Sequence, residues 1–141
     1  MIEAERVLLA PRADVWELVA EPFHLPDWWP AYTGVKPDRR GLAPNARWQV
    51  SRSRAPGFLR RPGGEGLIVI TEVHEGRSLA WHDVAQSLEA GIGLDNAGEG
   101  RTRATVFVSG PSWRLFLEGA RSLPERALVR LHDLCQTAAR L

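Results

Sequence analysis

Residues 65–109 read EGLIVITEVHEGRSLAWHDVAQSLEAGIGLDNAGEGRTRATVFVS, and the punctuation of that stretch decides the fold. Runs rich in branched and aromatic residues over 65–74, 77–84, 86–94 and 101–109 are parted by Glu75-Gly76 and by the DNAGEG of 95–100. Connections that short join antiparallel neighbours, because a parallel crossover needs a dozen residues or more. Within 77–84 the pleat sets Leu79, Trp81 and Asp83 on one face and Ala80, His82 and Val84 on the other. Whichever face looks inward carries one ionisable side chain, Asp83 or His82.

Working outward, 46–54 reads as a strand and 32–39 as a weaker one, while APGFLRRPGG at 55–64 is too rich in Pro and Gly for regular structure and sets Phe58 and Leu59 on a loop. A strand over 2–9 stops at Ala10-Pro11, since proline has no amide for a ladder. Pro11 suits the first turn of a helix, and Val15, Leu18 and Val19 recur at helical spacing with Trp16 on the flank. Pro22, Pro26 and Pro30 confine Phe23, Leu25, Trp28 and Trp29 to a turn or two. At the other end Trp113, Phe116, Leu117 and Ala120 form one helical stripe, and Ala127, Leu128, Leu131, Leu134, Cys135 and Ala138 the next. Ser122-Leu-Pro-Glu125 has capping-box spacing and predicts a kink or a fresh helix start near 122. Strand, one or two short helices, about six strands and a long helix make an α+β chain of two layers, with room for a small apolar ligand between a curved sheet and its helix.

A chain of 141 residues, 44% hydrophobic and 25% charged, fits one domain over 1–141. No apolar run approaches the ~18 residues of a membrane span, and the opening MIEAERVLLAP holds two glutamates where a signal peptide is basic. The expectation is a cytoplasmic protein with no stable membrane insertion. One cysteine forms no internal disulfide, and no Cys/His spacing matches a zinc site, so neither metal nor cofactor is expected. A net charge of +1 argues against nucleic acid as a partner. Residues 36–61 nevertheless hold eight cations (Lys36, Arg39, Arg40, Arg47, Arg52, Arg54, Arg60 and Arg61) against Asp38, a local +7 that leaves −6 elsewhere. Either these cations alternate on solvent faces opposite distant acids, or they form a basic rim that attracts an anionic ligand.

VLLAPRADVWELVAEP at 7–22, LPDWWP at 25–30, ARWQV at 46–50, RSLAW at 77–81 and ALVRLHDL at 127–134 resemble the polyketide cyclase/dehydrase-like branch of the START/Bet v 1 (SRPBCC) superfamily. The resemblance spans nearly the whole chain. It implies a helix-grip fold: a curved antiparallel sheet of about six to seven strands around a long C-terminal helix, with two short helices after the first strand enclosing a hydrophobic cavity. Members include lipid carriers, plant hormone binders, aromatase/cyclases and stress proteins. The matching motifs are those of the fold and carry no catalytic pattern.

Large apolar faces are the natural walls of such a cavity, and Trp28, Trp29, Trp48, Trp81, Phe107, Trp113, Phe116 and Leu117 are the expected ligand-binding residues. Trp28 and Trp29 are adjacent and cannot face the same way, so one of them borders the cavity. Polar groups that could converge inside are His74, His82, Asp83, Glu72, Glu89 and Tyr32, of which His82 and Asp83 are the catalytic candidates. No G-x-S-x-G, H-E-x-x-H or P-loop occurs, and Gly91-x-Gly93 lacks the third glycine of a dinucleotide loop. Cys135 reads as a small core residue, and His132 three residues earlier makes only a weak case for a thiolate pair. The function expected is binding of a small hydrophobic or amphiphilic molecule, with an acidic end if the basic segment borders the mouth, as a carrier or sensor. The alternative is a cyclase/dehydratase-type enzyme using the same cavity; the third reading is a stress or interaction module with a filled core.

Overall fold

A computed structural model describes residues 1–52, 65–111 and 120–139. The chain runs β1 (Ile2–Leu8), α1 (Arg12–Ala20), a 3-10 turn (Pro22–His24), α2 (Leu25–Trp28), β2 (Tyr32–Lys36), β3 (Arg47–Arg52), β4 (Glu65–His74), β5 (Ser78–Asp83), β6 (Leu88–Asn96) and β7 (Thr102–Ser109). A second 3-10 turn (Ala120–Ser122) leads into α3 (Leu123–Ala139). The expected loop at 55–64, with Phe58 and Leu59, lies outside the described residues, as does the stripe of Trp113, Phe116 and Leu117.

All seven strands pair antiparallel in the order β1-β7-β6-β5-β4-β3-β2. Hairpins after β4, β5 and β6 set most of that order, and the turns after β4 and β6 use Gly76, Gly98 and Gly100 at positive φ. The first two strands in this order are far apart in sequence: β1 pairs with β7, Ile2 opposite Val108 and Leu8 opposite Thr102. Thr102 Oγ1 donates to the carbonyl of Ala10 at 2.7 Å, fixing the chain where Pro11 ends the strand. The Pro11 carbonyl then accepts from Asp14 and Val15, and α1 begins. β2 and β5 end earlier than their composition predicts, for local reasons. β2 stops before Pro37, which has no N–H, and β5 stops at Asp83, whose own Oδ1 accepts the N–H of Gln86 at 3.2 Å and turns the chain.

One face of the sheet is the core: Trp48 and Val50, Ile68 and Ile70, Leu79 and Trp81, Ile92 and Leu94, Val106 and Val108 alternate inward along their strands. α3, 17 residues and about 25 Å long, packs across β1 and β7 with α2 at its side. Its stripe of Ala127, Leu128, Leu131 and Cys135 is buried. The Arg130 Nη1 donates to the Pro26 carbonyl at 3.3 Å and ties α3 to α2. A curved antiparallel sheet gripping a long C-terminal helix, with short helices inserted after β1, is the helix-grip α+β fold.

Candidate functional site

β3 and β5 both run toward the end of the sheet where β2 and β6 begin. There a cavity of about 460 Å³ opens between the sheet and the start of α3. Its described walls come from Trp29–Tyr32, the ends of β3 and β5, the start of β6, and residues around the first turn of α3. Apolar groups, among them Trp29, Trp81, Leu88, Ala90 and Leu123, make up much of the surface, and a charged pair closes one side.

That pair follows from the pleat. Trp48, Val50 and Arg52 share the inner face of β3, and Leu79, Trp81 and Asp83 share that of β5, so both strands end their apolar stripe on a charge. Adjacent strands lie roughly 4.8 Å apart, so Arg52 must cross β4 to reach Asp83. It crosses at Gly66, opposite Val50 in the ladder, where a Cβ would lie only 2.7 Å from Arg52 Nη2. The Arg52 Nη2 donates to Asp83 Oδ1 at 2.5 Å and to Oδ2 at 2.7 Å. Tyr32, the first residue of β2, donates its hydroxyl proton to Oδ2 at 2.7 Å and accepts from Trp81 Nε1 at 3.2 Å. The Arg52 guanidinium also sits 5.4 Å from the centroid of the Tyr32 ring.

Asp83 is 4% exposed, and its four acceptor sites are filled by Arg52 twice, Tyr32 and the Gln86 N–H. Burial first, and then the negative charge of Asp83, push the Tyr32 phenol well above its ordinary range. The hydroxyl therefore holds its proton and serves as a bridge between Trp81 and Asp83. A buried ion pair with these extra bonds is a prepared polar wall, its desolvation offset by good geometry.

Behind the wall three indoles meet edge to face. Trp29 and Trp81 have centroids 5.1 Å apart, and Trp28 lies 6.0 Å from Trp29 and 5.9 Å from Trp81. Trp29 and Trp81 line the cavity; Trp28 is fully buried, its Nε1–H without a partner among the described residues, and it is not among the described lining residues. Trp48 is also absent from the described wall, its Nε1 donating to the Gly41 carbonyl at 2.8 Å.

Phe107, expected on the wall, lies on the opposite face of the sheet: its Cε1 would be 2.6 Å from a Cβ at Gly91. It alternates with the buried Val106 and Val108, so the pleat turns it outward. The same parity resolves His82 against Asp83, because buried Trp81 and Asp83 share one face and His82 takes the other. Glu72 and His74 form an exposed pair 2.5 Å apart, and Glu89 is exposed as well. Of the polar candidates, the structure brings only Tyr32 and Asp83 to the cavity. Trp113, Phe116 and Leu117 lie outside the described residues.

Arg52, assigned by sequence only to a basic segment, is the residue most consequentially missed. Of that segment's described cations it alone lines the cavity; Lys36, Arg39, Arg40 and Arg47 are exposed. Asp38, the segment's lone acid, accepts the N–H of Arg47 at 2.8 Å and of Arg40 at 3.0 Å, bonds that hold its carboxyl below the usual range. Arg126, on the first turn of α3, brings a second cation to the cavity. Cys135 is buried, and burial with Asp14 nearby pushes its thiol up, as for an inert packing residue.

A helix-grip fold with an apolar cavity and one prepared polar wall defines a class of small-molecule-binding proteins. Residues 1–132 match the model of the family described as polyketide cyclase / dehydrase and lipid transport, and the chain belongs to that family. Solved structures give the same fold. A protein from Nitrosomonas europaea is 19% identical with a TM-score of 0.71, the alignment covering 99% of this chain and 96% of the other. A protein from Mycobacterium smegmatis is 19% identical with a TM-score of 0.69, covering 96% and 90%. The di-domain ARO/CYC protein BexL from a biosynthetic pathway is 18% identical with a TM-score of 0.68, covering 94% of this chain and 46% of that one. No curated protein matches the chain. No helix among the described residues is long and apolar enough to cross a membrane.

Proposed function

We propose that the protein binds a small hydrophobic or amphiphilic molecule in the cavity between the sheet and the start of α3, as a carrier or sensor. The observation that carries this reading is a void of about 460 Å³ walled by Trp29, Trp81, Leu88, Ala90 and Leu123. It falls within the roughly 300–1,000 Å³ of small-molecule sites and has the few fixed polar groups they use for orientation. A void of that size weighs against a core filled by its own side chains. The proposal places the protein in the cytoplasm, in keeping with one buried, unpaired cysteine.

Cyclisation or dehydration in the same cavity is the second reading, supported by the family description and by the likeness to an ARO/CYC protein. The described polar wall favours binding over proton abstraction. Asp83 has its acceptor sites filled and Tyr32 keeps its proton, so neither is poised as a base.

Native mass spectrometry on protein purified gently from its own host, with extraction of any bound molecule, tests the proposal. A stoichiometric apolar or amphiphilic passenger supports carriage or sensing. An empty protein whose tryptophan emission also ignores a panel of apolar probes would remove the reading.

A further inference from the structure

The polar wall has a one-sided hydrogen-bonding capacity. On the acceptor side, both Asp83 oxygens carry two bonds each, which fills the four lone-pair sites of a carboxylate. Tyr32 donates to Asp83 and accepts from Trp81, and the Trp81 N–H is engaged in that bond. On the donor side, Arg52 uses Nη2 alone; no hydrogen bond engages Nε or Nη1 among the described residues. Arg126 faces the same cavity with no described hydrogen bond or ion pair. The described charges on the wall are thus Arg52 and Arg126 against Asp83, a net of +1.

At the Arg52–Asp83–Tyr32 cluster a ligand meets spare donors, spare positive charge and an acceptor already filled. An ammonium group would find no acceptor in the Arg52–Asp83–Tyr32 cluster, and a hydroxyl could at best accept. We propose that the cavity selects apolar molecules ending in an anionic oxygen group, of which a carboxylate is the simplest, with that group seated between Arg126 and the edge of Arg52 that no described residue engages. The proposal rests on the cavity reading above and specifies the chemistry of its ligand. Arg52 is already held in place by Asp83, so little of its side-chain freedom remains to be lost on binding. Its charge makes each new bond charge-assisted, and bonds to a charged partner are the stronger kind. The apolar walls accept the rest of the molecule.

Three probes with one ten-carbon chain and different ends separate the possibilities: decanoate, decan-1-ol and decylamine, titrated at neutral pH with the emission of Trp29 and Trp81 as the signal. Decanoate should bind roughly tenfold or more tighter than decan-1-ol, the scale of one charge-assisted hydrogen bond, and decylamine should bind weakest. Arg126→Gln, an exposed change that leaves the buried pair intact, should narrow the decanoate advantage several-fold and weaken decan-1-ol less than decanoate. Equal binding of decanoate and decan-1-ol, or a preference for decylamine, would overturn the selection for an anion and leave the cavity reading standing. If none of the three binds, the proposal falls, and the cavity reading falls with it when the protein purified from its host is also empty.

Discussion

Replacing Arg52 by methionine keeps a long apolar stem over Gly66 and removes the guanidinium. Asp83, whose side chain is 6% exposed, then loses two of its four hydrogen bonds and its opposite charge, keeping only the neutral Tyr32 hydroxyl and Gln86 N–H. Removing one partner of a buried pair costs about 3–5 kcal/mol. Arg52 is itself 18% exposed, so water reaches one side of the pair and the expected loss is the lower figure, about 3 kcal/mol. That is a large share of the 5–15 kcal/mol by which a domain of ordinary stability is folded. Asp83→Asn alone removes the charge but keeps an acceptor for Tyr32, at a cost of about 1–2 kcal/mol. The double variant should cost less than the sum of the two by about 2 kcal/mol, because it leaves no buried charge unpaired. Urea unfolding at neutral pH, followed by tryptophan emission, measures all four corners of the cycle, with an unchanged dependence on denaturant as the check on two-state behaviour. Additive single costs, or an Arg52→Met variant within about 1 kcal/mol of the parent, would show that the pair is not what stabilises this end of the sheet.

The chain's single tyrosine makes its alkaline behaviour readable. The Tyr32 phenol is raised well above 10.0 in the fold, so its contribution to stability is whole below pH 10 and is lost as the pH climbs past it, where the unfolded chain ionises and the folded one does not. The slope should be about 1.4 kcal/mol per pH unit, absent in Tyr32→Phe, and tyrosinate absorbance should appear only with unfolding; ionisation near pH 10 in the intact fold refutes the cause given. Gly66→Ala should fold, because its Cβ meets only the far end of a flexible side chain, but it pushes the guanidinium aside. In that background Arg52→Met should cost at least about 1 kcal/mol less than in the parent, and an undiminished cost counts against Gly66 as the crossing point. Trp28 buries an indole N–H with no partner among the described residues, whereas the N–H of Trp81 is bonded to Tyr32. Trp28→Phe should therefore be the milder of the two Phe variants by about 1 kcal/mol; thermal unfolding that ranks them the other way contradicts the assignment.

The hairpins were legible because Gly, Asn and Asp punctuate strands of branched residues, and those turn residues have a local physical effect. Alternation along β5 narrowed the ionisable group of the cavity to His82 or Asp83, and the burial of their neighbours settles the choice. Phe107 is the converse case: its aromatic ring suits a cavity wall, but the period of two puts it with Thr105 and Ser109 on the outer face of β7. Arg52 had a signal of the same kind, in phase with Trp48 and Val50. It stands within a run of cations, most of whose described members are exposed, and composition does not separate it from them. The role of Gly66 had no such signal, since it depends on β4 lying between β3 and β5. Nor did Arg126, because the rotation of α3 about its axis is set by what it packs against.

The sheet is divided between two tasks. α3 rests on β1 and β7, which give no described residue to the cavity wall, while Tyr32, Arg52, Trp81, Asp83, Leu88 and Ala90 come from β2, β3, β5 and β6. Mutation can thus explore one half of the molecule with limited penalty in the other. A change of wall residue at Leu88 or Ala90 alters which molecules fit from a strand other than the two on which α3 rests. The same scaffold can in this way acquire a new ligand through few substitutions, and a designer who wants a different specificity has four strands to work on and two to leave alone.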